Sequence, residues 1–165
     1  MFRHRLIVAL LLFPPGLASI FFGGVWYFLV LLCFFIPASY EYSLMMKKGG
    51  YRPALPLIVS GVFLLVFAHA APTFWPALQP NAGLITGGML ALMLTLATTW
   101  HLVDFERGAP ASGTDWAITV AGIVYLGWMG GYFVLLRALP DGLSWAMTVF
   151  PAIWLSDTGA YTFGS

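Results

Sequence analysis

The residues best suited to chemistry in this 165-residue chain lie in its last stretch, Trp154-Leu155-Ser156-Asp157-Thr158-Gly159-Ala160-Tyr161-Thr162-Phe163-Gly164. One carboxylate stands there among small residues at the end of an otherwise apolar span. A carboxylate at membrane depth is costly unless water, a cation or a partner group compensates it, which makes Asp157 a functional-site candidate. On a helix, Asp157 and Tyr161 are four residues apart and share a face with Ala160 and Gly164, so one stripe presents a carboxylate, a phenol and very little bulk. A ligand phosphate or another backbone would approach closely there. Ser156 and Thr158 flank the carboxylate and can donate hydroxyl hydrogen bonds to it or to a bound anion. Magnesium prefers carboxylate oxygens and shares its shell with substrate phosphates, so an aspartate of this kind is half of a metal site. The same small, hydroxyl-bearing stripe also suits helix packing, with Asp157 capping a helix or pairing with Arg107. Local features leave both readings open, and a single carboxylate does not make a catalyst.

The elements that must position this stripe follow from composition. With 61% hydrophobic and only 8% charged residues, the chain has too little polar surface to cover a water-soluble globule. It reads as all-α and polytopic, because the apolar runs are continuous and lack the period-two alternation of a membrane barrel. About 20 apolar residues cross a bilayer core, and about six such segments fit, near 6–22, 25–46, 55–71, 83–103, 116–136 and 143–163. Pro14-Pro15-Gly16 interrupts the first, and Arg3-His4-Arg5 gives it the look of a secretory signal, but the apolar run continues to Phe22 and a tight hairpin at Gly23-Gly24 fits better. Pro72, Pro76 and Pro80 with Asn81 and Gly83 mark a loop, as does the stretch from Asp104 to Asp115; Leu139 to Gly142 forms the last turn. No internal repeat or linker divides residues 1–165, which form a single transmembrane domain. The lone Cys33 lies inside an apolar run and reads as a packing residue.

Orientation comes from the cations. Arg3, Arg5, Lys47, Lys48, Arg52 and Arg107 fall on one side, six of the seven basic residues, and the positive-inside rule makes that side cytoplasmic. Arg137 alone falls opposite, where it anchors an outer helix end or binds lipid phosphate. The sixth helix then runs inward, and the roughly 24 Å rise from Asp141 to Asp157 puts the carboxylate near the cytoplasmic side. Nucleic acid is excluded as a partner, since a net charge of +1 and the absence of a basic patch offer no footprint for it. Glu41, toward the inner end of the second helix, snorkels to the interface or enters the polar cavity, the interface being the favoured reading, and His69 reads as interfacial near the outer end of the third span. His101 and Asp104, three apart, permit shared metal ligation, but no third ligand has suitable spacing, so a solvated helix end is the favoured reading. Trp26, Tyr27, Trp75, Trp116 and Trp145 sit near span ends, as an aromatic belt requires.

Taken together, these residues resemble the phosphatidate cytidylyltransferases, or CDP-diglyceride synthases. The likeness rests on Trp154, Ser156, Asp157, Thr158, Gly159, Ala160, Tyr161, Phe163 and Gly164, on the Arg5-Leu6-Ile7 opening, on Glu41-Tyr42 running into Gly50 to Pro53, and on Tyr125, Gly127, Leu136, Arg137, Asp141 and Gly142. The resemblance implies an integral protein of the cell inner membrane whose cytoplasm-facing site joins CTP to phosphatidic acid, yielding CDP-diacylglycerol and pyrophosphate. It implies Mg2+ near Asp157, with Ser156, Thr158 and Tyr161 beside the substrates, membrane lipids as partners and a homodimer. Family members continue with a Ser-Pro-x-Lys-Thr segment and a C-terminal Lys, Asp and His-Gly-Gly signature, and Ser165 stands where they often carry Arg or Lys. The expectation is therefore an N-terminal part of a longer enzyme, lacking the catalytic C-terminal half and inactive alone. The rival readings are a CTP-dependent polyprenol or phytol kinase, a transporter subunit with a last span interrupted at Pro151, and a non-catalytic scaffold.

Overall fold

The computed structural model describes the backbone of residues 14–163, and side chains within that range except those of Trp154, Asp157, Thr158 and residues 161–163. Six helices make up these residues: α1 (14–22), α2 (Gly24–Lys48), α3 (Leu55–Phe74), α4 (Ala82–Glu106), α5 (Ser112–Ala138) and α6 (Gly142–Phe163). Four of them, α2 to α5, are long and apolar enough to cross a membrane, so the chain is an all-α, membrane-embedded protein. The hairpin expected between the first two helices is present. Gly23 and Gly24 hold φ of 64° and 52°, left-handed conformations that cost a Cβ-bearing residue but not glycine. The N-terminal part of the first predicted span, 6–13, lies outside the described residues.

Helix α3 is the hub. Ile58, Val62, Leu65 and Val66 recur at helical spacing along one face and are completely buried. Their neighbour α5 approaches backbone to backbone, because a Cβ at Gly127 would lie 3.1 Å from Val62 Cα and 3.2 Å from the Gly61 carbonyl oxygen. Small residues at such crossings are how apolar helices associate when lipid tails are as apolar as the side chains. Within α5 the turn Ile123–Trp128 is a π-helix, a local widening of the helix that is frequent at functional or tightly constrained places. Helix α6 leans on the bundle through Phe150, whose ring lies 5.2 Å from Phe133 and 6.3 Å from Tyr27. An apolar cavity of about 150 Å³ remains between α1, α2 and α6, lined by Leu17, Ile20, Tyr27, Leu31, Phe34 and Phe150.

Several expectations are corrected. Helix α3 does not stop before Pro72 but runs through it to Phe74, and Pro76–Asn81 is a 3-10 turn rather than open loop. The Pro72 carbonyl stays satisfied because Gln79 Nε2 donates to it at 3.0 Å. The second loop is much shorter than Asp104 to Asp115. Asp104 lies on α4, Asp115 lies on α5, and the turn between them is closed by Gly108 at φ 87°, with the Ala109 N–H donating back to the Asp104 carbonyl. The carboxylates at the two ends of this stretch mimic a loop signature, while one of them is in fact committed to the interior. Helix α6 continues unbroken through Pro151. Cys33 is exposed rather than packed, and Tyr27 is buried, donating its hydroxyl to the Phe133 carbonyl at 3.0 Å, instead of standing in an interfacial belt.

Candidate functional site

The segment singled out first is helical. Helix α6 carries Ser156 to Tyr161 in one continuous run, so positions 157, 160 and 161 share a face at the level of backbone register; Gly164 lies outside the described residues. Ser156 and Ala160 are exposed, and a Cβ added at Gly159 would meet nothing within 4 Å. The side chains of Asp157, Thr158 and Tyr161 lie outside the described residues.

A second polar cluster, which spacing alone did not reveal, is built where α4, α5 and the α2–α3 connection meet. Its logic begins with backbone donors. The connection leaves the N–H groups of Arg52 and Ala54 without helical partners at the start of α3. Asp115 Oδ1 accepts from Arg52 at 2.7 Å, and Thr119 Oγ1 accepts from Ala54 at 3.0 Å. Ser112, Asp115 and Thr119, on one face of α5, are all buried. Buried polar groups of this kind persist because they are paired. From α4, His101 places Nε2 2.9 Å from Thr119 Oγ1 and Nδ1 3.7 Å from Asp104 Oδ2. Nearby, Tyr42 of α2 donates to the Ile118 carbonyl at 2.8 Å. These contacts bind the ends of α2, α3, α4 and α5 into one inner end, with Lys47, Lys48, Arg52 and Arg107 around it. That agrees with the grouping of cations read from the sequence.

Two histidine readings are overturned. His101 is not a solvated helix end; only 3% of it is exposed, since Thr119 provides a polar partner inside the bundle. His69 is not interfacial; it is 2% exposed, with Nδ1 2.8 Å from the Leu65 carbonyl and its ring 5.1 Å from both Trp128 and Tyr132. Gly131 makes the room, for any side chain there would collide with the imidazole. Arg137 ties two helix ends together: its Nε donates to the Ile20 carbonyl at 2.7 Å, at the end of α1. Glu41 is exposed on α2, as an interfacial residue would be. Asp115 was missed because an acidic residue among Ser, Gly and Thr reads as loop; the buried i, i+3, i+7 arrangement of Ser112, Asp115 and Thr119 was the available signal.

The sequence model of the cytidylyltransferase family matches residues 3–165, nearly the whole chain. The chain belongs to the cytidylyltransferase family. Membership makes it a CTP-using transferase of the nucleotidyltransferase type, and it covers both the α6 stripe and the buried inner-end cluster. No curated protein and no solved structure matches the chain. Among the described residues, no group of three His, Cys, Asp or Glu side chains is arranged to hold a metal.

Proposed function

We propose that this cytidylyltransferase takes phosphatidic acid as its acceptor and forms CDP-diacylglycerol at the cytoplasmic face of the inner membrane. In the reaction a phosphate oxygen of phosphatidic acid attacks the α-phosphorus of CTP; the bond from that phosphorus to the bridging oxygen breaks, and pyrophosphate leaves with the electron pair. The observation that carries the reading is the α6 segment: one continuous helix on which Ser156, Asp157, Thr158 and Tyr161 follow within two turns, in a chain of CTP-using type. A lipid acceptor suits an enzyme whose scaffold is itself membrane-embedded.

The role of each residue follows from its chemistry. Asp157 offers the hard carboxylate oxygen that Mg2+ prefers, which makes it the ligand within this segment, the other positions falling to phosphate oxygens and water. Mg2+ would supply charge screening between phosphates and stabilisation of the leaving pyrophosphate. Ser156 and Thr158 donate hydroxyl hydrogen bonds to phosphate, and Tyr161, one turn on, adds a phenol donor. Gly159 and Ala160 keep the approach free of bulk. A homodimer is part of the same reading by family likeness.

The test is product formation by the natural polypeptide in liposomes containing phosphatidic acid, with CTP labelled on the α-phosphate. Label passing into CDP-diacylglycerol, and falling about 100-fold or more in Asp157→Asn, is the expected result, the size expected for losing a metal ligand that stabilises phosphoryl charge. Label from the γ-phosphate appearing on a prenol or phytol instead would make the protein a lipid kinase. Substrate flux without chemistry would make it a transporter.

A further inference from the structure

Helix α4 and the start of α3 form a groove with an apolar body and two unlike charges at one end. Its volume is about 360 Å³, and its walls are Leu57 of α3 and Leu96, Trp100 and Val103 of α4. Those three α4 residues and Arg107 follow one another at steps of four, three and four, a single helical stripe. Thr99, also in the wall, donates its hydroxyl to the Thr95 carbonyl at 2.9 Å, so the body of the groove asks its occupant for no hydrogen bond. Leu96, Trp100 and Val103 are exposed on a helix long and apolar enough to cross a membrane, where hydrocarbon is what such a surface meets. From Leu96 to Arg107 the helix rises roughly 16 Å, about half of a hydrocarbon core roughly 30 Å thick. The stripe therefore has the length of one leaflet's acyl layer, with Arg107 at headgroup level.

The charged end carries both signs. Asp104, about a third exposed, and Arg107, exposed, both line it. They are three apart on one helix, a spacing at which opposite charges commonly meet. Here no ion pair joins them within 4 Å, and Asp104 Oδ2 instead faces His101 Nδ1 at 3.7 Å. The guanidinium is thus left to an outside anion, and its fork suits phosphate oxygens. A lipid offering phosphate alone would bring a second anion up to the Asp104 carboxylate. A headgroup with an ammonium next to its phosphate answers both residues, and a primary ammonium, unlike choline, donates hydrogen bonds to the carboxylate.

We propose that this groove seats one phospholipid of the ethanolamine type, with an acyl chain along Leu57, Leu96, Trp100 and Val103, its phosphate on Arg107 and its ammonium on Asp104. Trp100, exposed within the stripe, supplies a broad apolar face to the chain. The site is separate from Asp157, and its argument does not depend on the phosphatidate reaction.

Photo-crosslinking reads the occupant directly. The natural polypeptide is placed in phosphatidylcholine vesicles doped with a lipid that carries a diazirine on its acyl chain, the probe having an ethanolamine, choline or glycerol headgroup. The ethanolamine probe is expected to label the α4 peptide holding Leu96, Trp100 and Val103 more strongly than the other two. Arg107→Gln should lower that label about fivefold, the contribution of one cation to holding a lipid phosphate. Asp104→Asn should abolish the preference for ethanolamine over glycerol. Label elsewhere on the chain, expected unchanged in both variants, reports on folding, and the comparison of three headgroups on the unaltered chain stands without any variant. Equal labelling by the three probes, or an ethanolamine preference that survives Asp104→Asn, would overturn the proposal. So would an unlabelled groove, the result to be found if a second copy of the chain covers it.

Discussion

Two histidines buried to the same degree, His69 toward the outer end and His101 at the inner end, are accommodated by opposite means. Around His69 the solution is steric. Its Nδ1 uses a carbonyl one turn back on its own helix, Trp128 and Tyr132 pack edgewise on the ring, and Gly131 vacates the space the imidazole fills. Around His101 the solution is polar and crosses helices, running through Thr119 to Ala54, beside the Asp115 contact to Arg52. The outer region is closed by rings and by the missing side chain at Gly131, all from α3 and α5. The inner one ends on His101 Nδ1, which has no hydrogen-bond partner among the described residues and faces the Asp104 carboxylate at 3.7 Å. Burial alone therefore says little about a residue's duty; what matters is whether its hydrogen-bonding capacity is used up.

The contrast predicts that the outer region is sensitive to volume and the inner one to polarity, measured as unfolding free energy in mixed micelles of mild detergent and dodecyl sulfate. Gly131→Ala should have the largest effect, about 3 kcal/mol of lost stability, since the methyl collides with a ring wedged between Trp128 and Tyr132. Thr119→Val keeps the volume but strands the Ala54 N–H and takes away the partner of His101 Nε2, and a loss of about 2 kcal/mol is expected, with Thr119→Ser nearly neutral. If the valine cost nothing, the polar account of the inner end would fail. Arg137→Gln removes the donor to the Ile20 carbonyl, a single partly buried contact, and should cost about 1 kcal/mol. Trp116→Phe deletes an exposed hydrogen bond to Thr98 and should stay within about 0.5 kcal/mol.

Much of this organisation was legible in the chain itself. The spans α2 to α5, the Gly23-Gly24 hairpin and the gathering of Lys47, Lys48, Arg52 and Arg107 follow from hydropathy, glycine and charge, which act locally or through the membrane. Proline was over-read: Pro72 and Pro151 lie inside helices, where intact packing on either side outweighs one missing N–H. The α6 stripe was legible as a motif because its residues are contiguous. The inner-end cluster was not, because Arg52, Ala54, His101, Asp115 and Thr119 come from separate stretches, and nothing in the spacing of one stretch announces the others.

Residence in the membrane and the helical class were thus settled by the amino-acid sequence alone, since an apolar run of sufficient length has no other way to satisfy its backbone in lipid. That His101 meets Thr119, that His69 packs against Trp128 and Tyr132, and that Asp115 faces inward were decided only by tertiary structure. The physical reason is that a buried polar group is stable only against a partner, and the partner is chosen by which helices meet.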